Sequence, residues 1–385
     1  MKNKRLNIII YISVVLFSVL FVIVGNKIAT KNLKLSDNSD ITSYKATVKE
    51  IVSSEITETE LSGTDPIEGF KIIFSATVKN GDLKGKDIIA EQESTIFSPS
   101  QLKKVEVGDK VIIIKNAALD DRFILNEYVR FDGIVFLILV FFAGILVFGK
   151  LKGLNTIVSL CFTCLSVFAV FIPAVLSGKN IYLWSIIICA FSIVMTLVLM
   201  NGINKKSYVS ILGCVGGLLC SGMVALIMDK TMKLTGLLND ESLYLLQLNI
   251  ENPIDLRGII FSAILIGAMG AVMDVSMSVS SSLYEISCQV ENVTFSSLFK
   301  SGINIGQDMM GTMANTLVLA YIGSSLSTVL LLVSYTESYL ELLNKEMIIV
   351  EFLQALSGSI GMLLAIPLTS AIAGILYTKS KNKML

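Results

Sequence analysis

Residues 267–285, GAMGAVMDVSMSVSSSLYE, place one carboxylate, Asp274, inside an otherwise apolar run. Small and hydroxyl-bearing residues follow it, and no basic residue comes until Lys300. A carboxylate at membrane depth with no cation beside it has two low-cost states: a protonated acid, or an anion holding a cation. Both states exchange, and exchange is what ion or proton coupling needs. At helical spacing Gly267, Gly270, Asp274, Ser278, Ser281 and Glu285 share one face, with Val272, Val279 and Leu283 opposite. This pattern predicts a helix that turns its polar stripe inward and its apolar side to lipid. The next apolar run, INIGQDMMGTMANTLVLAYIG (303–323), puts Asp308, Thr312, Asn315 and Thr316 on one face. If the two helices are antiparallel neighbours, a rise of about 1.5 Å per residue sets Asp274 near the depth of Thr312 and Asn315. Asp308 and Glu285 then lie nearer the boundary. Asp274 and Asp308 are the ion- or proton-coupling candidates, and Ser278, Ser281, Glu285, Thr312 and Asn315 the supporting polar groups. The competing reading is that Asp274 only donates a hydrogen bond across a helix interface.

Other chemistries find little support. The chain has 0 histidines, which removes the commonest metal ligand and the usual switch near neutral pH. His-type metalloproteolysis is thereby excluded. An aspartyl pair from Asp274 and Asp308 is disfavoured because the two sit at different depths. The 6 cysteines, Cys161, Cys164, Cys189, Cys214, Cys220 and Cys288, fall in or just past apolar runs, and Cys161 with Cys164 reads as core filling rather than a metal or redox pair. No metal, no cofactor and no enzymatic activity are expected. Lys plus Arg equals Asp plus Glu at 31 each, with no basic stripe, so a nucleic-acid partner is not expected.

The elements that must position these residues are membrane helices. With 53% hydrophobic residues, 16% charged and a mean hydropathy of +0.73, the chain reads as a polytopic α-helical membrane protein of about eight spans. The first span, within residues 1–26, follows Lys2, Lys4 and Arg5 and reads as uncleaved. Residues 27–132 change character. Five β-type runs, Tyr44–Ile56, Phe70–Val78, Asp87–Glu91, Val111–Lys115 and Phe123–Tyr128, are separated by turn signals at Ser62-Gly63, Asn80-Gly81-Asp82 and Gly108-Asp109. They predict a small extracytoplasmic all-β domain, an OB-like barrel being the suggested form. Residues 133–377 form a seven-span core, with spans near 133–149, 154–176, 181–200, 208–228, 256–280, 308–334 and 350–377, and residues 378–385 a basic tail. Lys150, Lys152, Lys205, Lys206, Lys300 and the tail lysines fall on one side, so both termini are expected in the cytoplasm. Residues 229–255 form a charged outer connection. Residues 286–305 form an inner one, read either as an amphipathic surface helix bearing Val293, Leu298, Phe299 and Ile303 or as a plain loop.

The runs GAMGAVMDVSMSVSSSLYEI and GINIGQDMMGTMANTLVLAYIGSSL together resemble the YibE/F-like family of bacterial membrane proteins, and the order of one span, an outer β-rich domain and a multi-span core agrees over most of the chain. The resemblance implies a multi-pass protein of the bacterial cytoplasmic membrane and names no substrate. Where members of that family carry Arg, this chain has Gln307, so an Arg–Asp pair with Asp308 is not implied here. A looser, fold-level likeness to SecD/SecF proteins and the resistance-nodulation-division transporters rests on segment order alone. Two functions follow as expectations. One is a secondary transporter or proton- or ion-coupled machine working through Asp274. The other is an assembly or binding protein whose outer domain recognises a partner. The expected surroundings are the lipid bilayer and an unidentified cargo or protein partner at the outer domain, and a homo-oligomer stays open.

Overall fold

The computed structural model describes residues 2–381, apart from 32–40, 60–66, 95–102, 117–121, 248–252, 291 and 336–337. The Ser62-Gly63 turn, Glu251 and Lys383 lie outside the described residues. Contacts divide the chain into two units, Met1–Lys34 with Ile145–Leu385, and Leu35–Gly144.

The smaller unit carries five strands, β1 (Ile41–Thr59), β2 (Ile67–Val78), β3 (Asp87–Ser94), β4 (Lys110–Asn116) and β5 (Phe123–Tyr128). They close into a barrel in the order β1-β2-β3-β5-β4, with β3 and β5 parallel and the other pairs antiparallel. Closure is possible because β1 is long and bends. Its first part pairs with β4 and the rest with β2, with register shifts at Val48/Glu50 and Ile51/Ser53. The period-2 alternation sends Phe70, Ile72, Phe74, Ala76 and Val78 of β2 inward, against Ala46, Val48, Val111, Ile113 and Leu125. A buried polar residue, Gln92, fixes the segment before β4. Its amide donates to the Lys103 carbonyl at 2.7 Å and accepts from the Val105 amide at 2.9 Å. The Tyr128 hydroxyl donates to the same Lys103 carbonyl at 2.7 Å. Two predicted turns appear with the backbone they need: Gly81 and Gly108 have φ of 74° and 93°, in the region that favours glycine.

The larger unit is helical: α1 (Lys2–Ala29), α2 (Phe131–Leu165, its first part in the smaller unit), α3 (Ile172–Leu176), α4 (Ile181–Asn201), α5 (Lys205–Met232), α6 (Asp240–Gln247), α7 (Leu256–Gln289), α8 (Phe295–Tyr335), α9 (Tyr339–Asn344) and α10 (Glu346–Lys381). A π-helical turn, Ser166–Phe171, joins α2 to α3. Among the described residues seven helical stretches are long and apolar enough to cross a membrane. One of them, Phe131–Leu176, has 46 residues, about 69 Å as a single rod and over twice a hydrocarbon core. It does not run as one. At Lys150 the backbone leaves the helix (φ 49°, ψ −127°), and a methyl on Gly153 would collide with the Ile145 carbonyl. The break falls where the sequence places the Lys150–Lys152 turn.

The core of this unit is α5, α7 and α10, with α8 laid against α10 and α4 against α7. Glycines make the close crossings. A methyl on Gly217 would lie 2.7 Å from Ala365, 2.8 Å from the Gly361 carbonyl and 2.8 Å from Val272. At one end of the bundle Ser280 and Tyr377 hydroxyls meet at 2.9 Å, and Ser280 donates to the Lys206 carbonyl at 3.0 Å, tying α7, α10 and the start of α5. At the other end Asp255 caps α7, accepting from the amides of Arg257 and Gly258, and Glu346 accepts from the amides of Thr235 and Gly236 at 2.7 and 2.6 Å.

The inner connection differs from both readings of it. Helix α7 continues to Gln289 and α8 begins at Phe295, so 286–305 is mostly the ends of two long helices. Leu298 is fully buried, and Val293 and Ile303 pack against the bundle core, so the apolar residues that suggested a membrane-surface helix are spent on the protein.

Candidate functional site

The polar stripe of α7 lies opposite to its predicted side. Val272, Val279 and Leu283 are each 0% exposed, while Gly267, Gly270, Asp274 and Glu285 are exposed and Ser278 and Ser281 half-buried. The expected inward polar face is therefore corrected. Steric fit gives the reason. The branched side chains of the apolar face enter gaps opened by glycines of neighbouring helices, as Val272 does beside Gly217 and Leu283 beside Gly302. The small polar side chains fill no such gap and are left on the outside of the chain.

Two contacts set the register of α7 against α8. The Tyr321 hydroxyl fills the space over Gly267, and Leu283 reaches within 2.9 Å of a methyl position on Gly302. Interpolating between them, at about 1.5 Å per residue, puts Asp274 level with Thr312 and Met313 and within about 5 Å in height of Asn315. Asp308 lies about 7 Å nearer the end that holds Lys205, Lys206 and Lys300. Asp308, Thr312, Asn315 and Thr316 are all exposed on α8.

The structure brings these residues to one height range but not into one hydrogen-bonded cluster. Ser281 donates to the Met277 carbonyl at 2.6 Å, and Thr312 to the Met309 carbonyl at 3.0 Å, each within its own helix. Among the described residues no hydrogen bond or ion pair reaches the Asp274 carboxylate, so Ser278, Thr312 and Asn315 do not orient it here. Among the described residues no group of three or more Cys, Asp or Glu side chains is placed to hold a metal ion.

Two groups escaped the sequence reading. Tyr321 of α8 abuts α7 about two turns from Asp274, and the Glu351 carboxylate of α10, half-buried, lies close enough to Tyr321 to interact with it electrostatically. Glu351 was visible as an acid at the edge of the last apolar run, but sequence gives no hint that α10 brings it to α8. Glu351, Tyr321, Asp274, Asp308 and Glu285 form an interrupted series of ionisable groups distributed along the bundle.

With this geometry in view, a profile of the YibE/F-like protein family matches residues 137–379, well over half of the chain. The chain belongs to the YibE/F-like family. The match takes in α3 to α9 and nearly all of α10, including α7 and α8 with their polar faces. It leaves the barrel outside. No curated protein and no solved structure matches the chain, so the looser likeness by segment order has no structural support.

Proposed function

We propose that this YibE/F-like protein is a multi-pass membrane protein that couples movement of a proton or small cation to a change in the packing of α7 against α8. The observation that carries this reading is Asp274. It is a carboxylate at mid-helix, with no basic group within hydrogen-bonding or ion-pairing range among the described residues, beside a polar face of α8 at the same height. Such a group is costly in a bilayer unless it is protonated, wetted or holding a cation, and each of these conditions is reversible. Tyr321 and Glu351 extend the ionisable series toward one end of the bundle, and Asp308 and Glu285 toward the other. The chemistry asked of the site is binding and release, not bond making, so the reading is non-enzymatic.

A charge asymmetry supports a transmembrane orientation. Lys205, Lys206 and Lys300 gather at one end of the bundle. At the other end Lys179, Lys230, Lys233, Arg257 and Lys345 are interspersed with Asp229, Asp240, Glu241, Asp255 and Glu346, Arg257 lying 4.0 Å from Asp229 and 3.8 Å from Asp255. By the positive-inside rule the lysine end faces the cytoplasm. The break at Lys150 supports counting two spans in Phe131–Leu176, hence eight in all. The barrel, with its parallel β3–β5 pair, reads as an OB-like domain on the outer side.

The test is thermal stability of purified full-length protein across pH and a panel of monovalent and divalent cations, with Asp274→Asn alongside. The asparagine keeps hydrogen-bonding capacity and cannot ionise. Wild type should show a pH- or cation-dependent shift in Tm that the variant lacks. Identical responses from two folded proteins would overturn the coupling role. The second reading, recognition of a partner by the barrel, would then lead. It is favoured by Val52, Ile56 and Ile89, which the barrel holds 57%, 69% and 66% exposed.

A further inference from the structure

Helices α1 and α4 leave a groove between them, with a volume of about 670 Å³. Ile10, Phe17, Phe21, Ala190, Met195 and Ile203 contribute to its wall, and among the described residues Ser13 brings the one hydroxyl. One end is shut. The Phe21 ring stacks on Phe191 at 3.9 Å between centroids, and beyond it Gly25 meets Val170 and the Asn26 amide donates to the Ala169 carbonyl. From Ile9 to Phe21 the groove follows α1 for about 18 Å, close to the roughly 15 Å of one hydrocarbon leaflet. A neighbouring transmembrane helix needs a seam through both leaflets. A lipid acyl chain needs a seam through one.

Charge narrows the occupant, because the other end of the groove is basic. Lys2, Lys4 and Arg5 occupy the first turns of α1, just before Ile9. Ile203 is followed by the Asn204 cap and then by Lys205 and Lys206, which open α5. Asn155 of α2 donates to the Leu199 carbonyl of α4 at 3.0 Å, so the Lys150–Lys152 turn stands beside the same helix end. Residues 1–36 and 133–228, which supply this corner of the bundle, contain no Asp or Glu. The acids of this end, Glu285 and Asp308, are carried by α7 and α8 and line no part of the groove. The positive-inside rule asks for lysines on this side of a membrane. It does not ask for two of them in the first turn of a helix, where the macrodipole opposes a cation and favours an anion. A phosphate at the start of α5 would meet both lysines and the positive end of that dipole.

We propose that the groove between α1 and α4 binds an anionic phospholipid of the cytoplasmic leaflet, with an acyl chain along Ile10, Phe17 and Met195 and the headgroup phosphate at Lys205 and Lys206. The proposal rests on the multi-pass reading and on the lysine end facing the cytoplasm. It is independent of Asp274 and survives if the coupling role fails.

The test is native mass spectrometry of the full-length protein in mild detergent, with added phosphatidylglycerol or phosphatidylcholine of identical acyl chains. Wild type should retain phosphatidylglycerol in preference. Lys205→Ala combined with Lys206→Ala should weaken phosphatidylglycerol binding by about tenfold to thirtyfold, the scale of two lysines at an anionic headgroup, and leave phosphatidylcholine binding unchanged. Because these lysines oppose the α5 dipole, the double variant should keep or raise its Tm without lipid. Lys205→Arg combined with Lys206→Arg should keep the preference. Ala190→Trp fills the groove from α4 and should reduce binding of both lipids with every charge in place. Equal retention of the two lipids by wild type, an undiminished preference in the double alanine variant, or undiminished binding in a folded Ala190→Trp would each overturn the proposal. Alkaline extraction of membranes tests the multi-pass reading separately. A chain that stays in the pellet but shows no lipid preference sinks the lipid site alone, and a chain released to the supernatant sinks both.

Discussion

Gln92 shows how one side chain can decide a local structure. It is fully buried, and its amide serves both the Lys103 carbonyl and the Val105 amide, so a segment without strand pairing of its own is held against the barrel. Gln92→Leu keeps most of the volume and removes both bonds. Each backbone group left unsatisfied costs about 1–3 kcal/mol. Hydrogen exchange at the Val105 amide should accelerate well before exchange at central β2 amides, and unchanged protection there would show that packing alone holds the segment. Asp274 stands at the opposite extreme, since nothing in the described chain bonds to it. That difference separates a buried polar group that builds structure from a carboxylate whose charge, in the proposed function, would change. Sequence identified Asp274 because an acid amid apolar residues is rare. It did not identify Gln92, because a glutamine in an amphipathic strand is ordinary until its neighbours are known.

At the scale of elements, the bundle is assembled by small residues. Gly217 of α5 sits at the crossing with α7 and α10, and an added methyl would crowd three neighbours at once, one of them backbone. Gly217→Ala should destabilise the protein by about 1–3 kcal/mol through overpacking, read as a lower Tm in detergent. Gly270→Ala, on the open side of α7, meets nothing within 4 Å and should leave the Tm unchanged or slightly higher, since alanine is the better helix former. Equal losses at both positions would mean that helix propensity rather than packing is being measured. Much of this level was legible. All five β runs appear as strands, with bounds extended by a few residues at most, because period-2 alternation and glycine turns are local signals. The α7 face assignment failed for an equally physical reason. Periodicity shows that a helix has two unlike faces. Which one is buried depends on the glycine gaps of α5, α8 and α10, and those are not local.

The whole molecule carries the orientation question. If the lysine end faces the cytoplasm, Asp240 and Glu285 lie on opposite sides of the membrane. In a cysteine-free chain, a membrane-impermeant thiol reagent applied to intact cells should label Asp240→Cys and spare Glu285→Cys until the cells are opened. The reverse pattern would invert the topology and place the barrel in the cytoplasm. The family match spans the helical region alone, so the barrel is the part of the molecule about which kinship says least and folding physics most. Helix α8 has a further consequence. Its 41 residues run unbroken for about 60 Å, twice the thickness of a hydrocarbon core. In the proposed transmembrane arrangement such a rod would reach both aqueous phases: tilted by about 10° around a fulcrum at one end, it would carry the other end through about 10 Å. Under the proposed function, a small repacking beside Thr312, where Asp274 stands, would act near its middle and move both ends.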